Sequence, residues 1–227
     1  MAEIRENPCV SVNKLGQYLT ATPANRKRII HGQKNPPDAQ YLRYPEAAQA
    51  ITEYLCSGRN EATLRYHQRR LLNAAPQSDY DAHRMALCVE ALQHFLVHAD
   101  ELALTHAVAS PAEAELPPME LSGVTINVRP EVVLRSVDRH GFMRSGVLKL
   151  YFAKHHPLDE RSGQYIATVL QAHAEQHLQQ LGPVDHRLVR VFDVFAGKVF
   201  VAPKARTRRL SDVLLACEEI AARWPLN

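Results

Sequence analysis

The stretch from residue 123 to residue 152 constrains the fold more than any other. Gly-Val-Thr-Ile-Asn-Val at 123–128 reads as a strand and runs into Pro130-Glu131-Val-Val-Leu. After the polar turn Asp138-Arg-His-Gly141 comes Gly146-Val-Leu-Lys149-Leu-Tyr-Phe. Short runs this rich in Val, Ile and Leu, bounded by Gly, Pro and Asp, are strands. They set the carboxylate of Glu131 and the ammonium of Lys149 on two neighbouring strands that are otherwise apolar. Such a pair is either a strand-end acid with an edge lysine that discourages aggregation, or part of a site.

The residues before this stretch carry helical signals. Ser11 is placed to cap a short helix with Val12, Leu15 and Leu19, and Thr22-Pro23 has the cap-then-proline order that opens another through Ile29 and Ile30. Pro45-Glu46 and Asn60-Glu61 begin two more, the first ended by Ser57-Gly58. The longest helix is expected over 79–102, with Met85, Val89, Leu92 and Leu96 at helical spacing. Residues 109–118, rich in Ala, Glu and Pro, read as a linker.

Beyond the strands, a helix is expected over 162–181, stopped by Gly182-Pro183. Strands at 188–195 and 199–202 flank Gly197-Lys198, and a last helix is expected from Ser211 as cap to Trp224-Pro225. The order predicts an α/β (α+β) chain: a helical N-terminal region, 1–108, followed by a core, 109–227, with a mixed sheet flanked by helices. An edge strand at 199–201 leaves pairing with a second copy open.

With 227 residues, of which 46% are hydrophobic, the chain can bury a substantial core. The formal charge is only +3, so attraction to nucleic acid must come from clustered charge. Cys9, Cys56, Cys88 and Cys217 stand singly, which argues against a zinc knuckle or a disulfide framework and for a reduced, cytoplasmic setting. No apolar run approaches the ~20 residues needed to span a bilayer, and the first residues lack a secretory signal's apolar core. No membrane association is expected.

The order of strands, with Pro-acid on one and hydrophobic-x-Lys on the next, then helix and further strand, resembles the PD-(D/E)XK nuclease superfamily. The helical preamble looks like its RecB-like branch, which includes CRISPR adaptation nucleases. The resemblance covers residues 111–202, with a weaker correspondence at 10–34. It implies a restriction-endonuclease-like sheet. It also implies that Glu131 stands where the family's metal-binding acid stands, and Lys149 where its lysine steadies the attacking water or the phosphate.

The chain departs from the family in one decisive place. The second acid belongs at position 147, and the residue is Val147, so the acid-x-Lys element reads Val-Leu-Lys. A hard cation such as Mg or Mn prefers several oxygen ligands, and loss of one strand carboxylate weakens its binding. Glu113, Glu115 and Glu120 lie upstream and Asp159 and Glu160 downstream, so a migrated ligand from Glu113 or Glu115 stays open beside a plain solvated linker. The branch's Gln-x-x-x-Tyr has only the adjacent pair Gln164-Tyr165, and the clustered cysteines of its iron–sulfur members are missing.

Basic residues form three runs: Arg26, Lys27, Arg28 and Lys34 with His31; Arg69 and Arg70 with Arg65, Tyr66 and His67; and Lys204, Arg206, Arg208 and Arg209. Each is either a solvated face or a set of phosphate contacts. Of the twelve histidines, His173 and His177 share a helix face without a third metal ligand, and His155-His156 fall in a loop. No catalytic-triad, Walker or dinucleotide-binding pattern is present.

Three function classes follow from these features. The first is a DNA-binding or assembly subunit with a degenerate nuclease site, in a DNA repair, mobile-element or phage-defence setting. The second is an active atypical nuclease using Mg or Mn at Glu131, Lys149 and a glutamate from 113, 115 or 120. The third is a protein-interaction adaptor without nucleic acid.

Overall fold

The computed structural model describes residues 4–36, 44–104, 106–113 and 116–226. Its helices begin where local chemistry satisfies their first N–H groups. The Ser11 hydroxyl accepts from Lys14 N–H ahead of α1 (Val12–Thr20), and Thr22 does the same for Asn25 ahead of α2 (Pro23–Lys34). Pro45 opens α3 (Pro45–Cys56), Asn60 caps α4 (Glu61–Asn73), and Ser78 caps α5 (Asp79–His98). The helix expected over 79–102 ends at His98 and tightens into a 3-10 turn, Ala99–Leu102.

Four further strands follow β1 (Cys9–Ser11): β2 (Val108–Pro111), β3 (Met119–Leu121), β4 (Val124–Asn127) and β5 (Val132–Val137). The linker expected over 109–118 therefore begins as a strand. Ala109 and Ser110 lie antiparallel to Leu134 and Val133 at the sheet margin, where a proline such as Pro111 is tolerated because an edge strand need not donate on both sides.

β5 continues through the Asp138 turn into β6 (Met143–Tyr151), which α6 (Glu160–His177) connects to β7 (Arg190–Asp193) and then β8 (Lys198–Val201). The main sheet has the order β2-β5-β6-β7-β8; only β6 and β7 run parallel, as their helical connection requires. α6 starts two residues before the expected Ser162, because Asp159 and Ser162 form a reciprocal capping box. β8 lies at the sheet edge, as the sequence indicated.

Two further expectations are corrected. The strand expected over 123–128 is not part of the main sheet: β4 pairs with β3 and β1 in a separate three-stranded sheet, and the first strand of the main meander is β2. The last helix, α7 (Thr207–Arg223), begins four residues before Ser211, which lies inside it and bonds back to the Thr207 carbonyl. Arg206 at its start has no capping hydrogen bond, and its guanidinium holds Glu175 on α6 instead.

The main sheet is buried on both faces. α1, α6 and α7 cover one with Leu15, Tyr18, Ile166, Leu170 and Ile220 around Val133, Val147 and Tyr151. α3, α4 and α5 cover the other with Ile51, Leu64, Leu92 and Phe95 against Leu134, Leu148, Leu150 and Phe192. Each such Leu or Phe contributes about 1.5–3 kcal/mol by leaving water. The helices before residue 108 are thus divided between the two faces. Because side chains alternate along a strand, Lys149 shares the α1/α6 face with Val147 and Tyr151. Among the described residues, no helix is long and apolar enough to cross a membrane.

Candidate functional site

The register of β5 on β6 pairs Val132 with Leu148, and one step further places Glu131 opposite Lys149. The backbone there is held on both sides: Glu131 N–H donates to the Leu148 carbonyl, and Ala112 N–H donates to that of Glu131. Glu131 Oε1 accepts from Lys149 Nζ at 2.7 Å, and Oε2 accepts from Leu150 N–H at 2.6 Å. Only 11% of the Lys149 side chain and 19% of the Glu131 side chain remain exposed. Both carboxylate oxygens are therefore engaged, one with a full counter-charge.

Val147 sits two residues earlier on the same face, opposite Val133, and is 1% exposed. Where a second metal-binding acid is needed, the chain has an isopropyl group closed into the core. The candidates for a migrated ligand do not repair this. Ala112, not Glu113, is the residue beside Glu131, and Glu113 and Glu120 are exposed. Glu115 lies outside the described residues. Among the described residues, no group of three or more His, Cys, Asp or Glu side chains is placed to hold a metal ion. One carboxylate already neutralised by a lysine does not fit Mg or Mn, which require several free oxygen ligands.

The pair opens instead onto a cavity of about 500 Å³ lined by Asn13, Lys14 and Gln17 of α1, by Arg129, and by the stacked rings of Tyr44 and Phe152. Lys14 and Gln17 also line a second cavity of about 530 Å³, which reaches Arg28, His155, His156 and the start of α6. Lys14 Nζ donates to Gln17 Oε1 at 2.8 Å, and burial lowers its pKa. Gln17 donates to the Tyr151 hydroxyl, which donates to the His156 carbonyl at 2.7 Å. Burial pushes the Tyr151 phenol up to about 12, so it stays a neutral donor.

The loop carrying the two histidines is fixed from below. Buried Asp193 accepts from the amides of Leu158 and Ala196, although burial raises its pKa. The two adjoining cavities together carry Lys14, Arg28, Arg129 and Lys149 against Glu131 and Asp159, four cations to two anions, a net +2 without the histidines. Asn13 Oδ1 is buried in this region without a hydrogen-bond partner. Of these cations Lys14 and Lys149 are at least partly buried, where a charge acts more strongly than in water, and Arg28 and Arg129 are exposed.

No protein-family model matches the sequence, and no curated protein matches it significantly. The geometry alone carries the reading of the site.

The basic runs separate under the same geometry. Arg26 is held by Glu219 at 2.8 Å with its guanidinium over the Tyr18 ring, and Lys34 donates to the Trp224 carbonyl. Arg206 pairs with Glu175, and Arg209 bonds Gln164. These four tie helices together. Arg26 and Arg208 do line one small cavity, about 300 Å³, so two runs meet there, but Glu219 and Asp212 line it too. Arg69 and Arg70 are exposed on α4, on the layer away from the cleft, and Lys27 and Lys204 are exposed. Of the named basic residues only Arg28 enters the cleft beside Lys149.

The rings of His173 and His177 are 4.5 Å apart, but His173 is buried, bonds the Pro117 carbonyl, and has its pKa lowered by burial. Gln164 and Tyr165 are engaged with Arg209 and Asp212. Lys14, Gln17 and Arg129 escaped sequence reasoning. The signal available was Lys14 and Gln17 at a three-residue spacing on a capped helix, with Arg129 two residues before Glu131.

Proposed function

We propose that this chain is a DNA-binding protein on a nuclease-type fold, in which the former cleavage cleft holds backbone phosphate without a metal. The antiparallel pair β5 and β6 followed by α6 and a parallel β7 supports the PD-(D/E)XK resemblance, while β3 and β4 of the small sheet intervene in sequence between β5 and the third antiparallel strand, β2. The observation that carries the reading is the closed Glu131–Lys149 pair beneath a cleft whose Lys14, Arg28 and Arg129 have no carboxylate partner among the described residues.

Lys14 and Arg129 supply charge to a phosphate at the mouth of the cleft. Lys149 contributes from its floor while Glu131 holds its ammonium in place, and Arg28 on α2 extends the track beyond α1. Release of counterions from DNA then drives binding, with log affinity falling linearly against log salt by about 0.9 per phosphate contact. Hydrolysis is not expected, because Glu131 has no free oxygen with which to collect a cation.

The test is anisotropy of labelled duplex DNA against salt, in EDTA and in magnesium, for the full chain and for Lys14→Ala and Arg28→Ala. Affinity in magnesium no higher than in EDTA is expected, since magnesium competes for the phosphates, with each variant reducing the salt slope by about 1. Binding that requires magnesium, or variants that leave the slope unchanged, contradicts the proposal.

A further inference from the structure

We propose that the far end of the β5–β6 hairpin is a second nucleic-acid contact that takes a single strand, with Arg139 and Arg190 on its phosphates and Phe142 stacked on a base. This rests on the reading of the chain as a nucleic-acid-binding protein.

The cavity there, about 710 Å³, lies between the hairpin turn and the segment 185–190. From Arg144 to Lys149 is five residues of β6, so it sits about 17 Å along the strand from the Lys149 cleft. Four arginines line it, Arg139, Arg144, Arg187 and Arg190, against two acids, Asp138 and Asp185. The acids are matched one to one: Arg144 to Asp138 at 2.7 Å and Arg187 to Asp185 at 2.7 Å. Two guanidinium charges are left over.

Arg190 is the more telling. It is half-buried and, among the described residues, donates to two backbone carbonyls, those of Arg187 and Leu102, and to no carboxylate. Burial lowers its pKa. Arg139, exposed at the turn, donates to its neighbour His140. An anion entering the cavity would meet both.

The hairpin tip adds a feature that a simple anion does not use. Phe142 is 64% exposed and Met143 45%, while Asp138 fixes the turn by accepting from the amides of His140 and Phe142. The backbone that carries the exposed ring is thereby fixed, and in sequence Phe142 lies between His140 and Arg144, two residues of the cavity wall. A basic cleft bordered by an exposed aromatic is the chemistry of single-strand binding, in which phosphates supply affinity and an unstacked base lies on the ring. In a duplex the bases are already stacked and the ring has nothing to take.

The experiment measures anisotropy of labelled oligothymidine, oligouridine and duplex DNA on the full chain and on Phe142→Ala, Phe142→Trp, Arg139→Ala and Lys14→Ala. Exposed Phe142 contributes little to the core, so its variants fold. Phe142→Ala is expected to weaken single-strand binding about 5- to 150-fold, leaving duplex binding unchanged, with Phe142→Trp restoring affinity. The two oligonucleotides tell whether the strand is DNA or RNA.

If Lys14→Ala weakens binding while Phe142→Ala does not, the inference fails and the DNA-binding reading stands. Polyglutamate competing as well as oligothymidine also overturns the inference, since it shows attraction for any anionic chain. If the full chain binds none of the nucleic acids, the functional reading itself fails.

Discussion

Lys149 and Glu131 face each other across β5 and β6 with Nζ 2.7 Å from Oε1, and the second oxygen of Glu131 is closed by the Leu150 amide. An ion pair this enclosed is kept only if each charge satisfies the other, because either one alone bears a large desolvation cost. The pair is therefore a structural clasp at the floor of the cleft, where a nuclease needs an open acid.

Removing one partner leaves the other charge buried. Glu131→Gln or Lys149→Met alone is expected to cost about 2–4 kcal/mol, toward the lower side for broken buried pairs because both groups keep some exposure. The double variant should lose much less than the sum of the two. Urea denaturation of the three variants measures the coupling, and strict additivity would show that the two groups do not depend on each other.

An acid placed at position 147, where the PD-(D/E)XK resemblance puts one, should not create a metal site. Val147→Asp places a carboxylate in the core at a position 1% exposed, and a marked fall in Tm is expected. Magnesium should leave that Tm unchanged. A rise of Tm with magnesium concentration would mean that Glu131 had left Lys149 to share a cation.

Acid should loosen the β5–β6 turn before the rest of the sheet. The Arg144 guanidinium, followed by the Phe142 amide, lowers the Asp138 carboxyl from 3.8 to about 2. A pKa depressed by folding gives stability that is complete above 3.8 and lost as pH falls toward 2. Asp138→Asn should lower stability at neutral pH, where the contribution of the carboxylate is fully present, and flatten the pH dependence within that window. Thermal melts across the window provide the comparison.

Gly146 admits no side chain. A Cβ there would run into the Leu188 backbone and its Cβ, and backbone cannot swing aside as a flexible side-chain end can. Gly146→Ala is expected to destabilise the protein by about 1–3 kcal/mol, measured by the urea midpoint. Gly32, which has open space around it, should accept alanine without such a loss.

What the sequence revealed follows from how local each interaction is. Ser11, Thr22, Asn60 and the Asp138 turn act on amides two to four residues away, so the helices and the central hairpin were legible. Strand partners are chosen at long range, which is why 109–111 reads as linker from the sequence and the strand at 124–127 reads as part of the main sheet. The site divides in the same way. Glu131 and Lys149 stood out as charges within apolar strands, whereas Lys14 and Arg129 reach the cleft only through the packing of α1 on the sheet. Arg26 and Arg206 looked like free cations because their partners, Glu219 and Glu175, lie 193 and 31 residues away.

The most direct test of a cleft that holds DNA without cutting it is incubation of end-labelled duplex and single-stranded DNA with the full chain in magnesium and in manganese. Binding and strand length are read from the same samples, with Glu131→Gln alongside. The account expects bound, full-length DNA in every metal. Metal-dependent cleavage that disappears in Glu131→Gln would contradict it, by showing that this acid collects a cation despite Lys149.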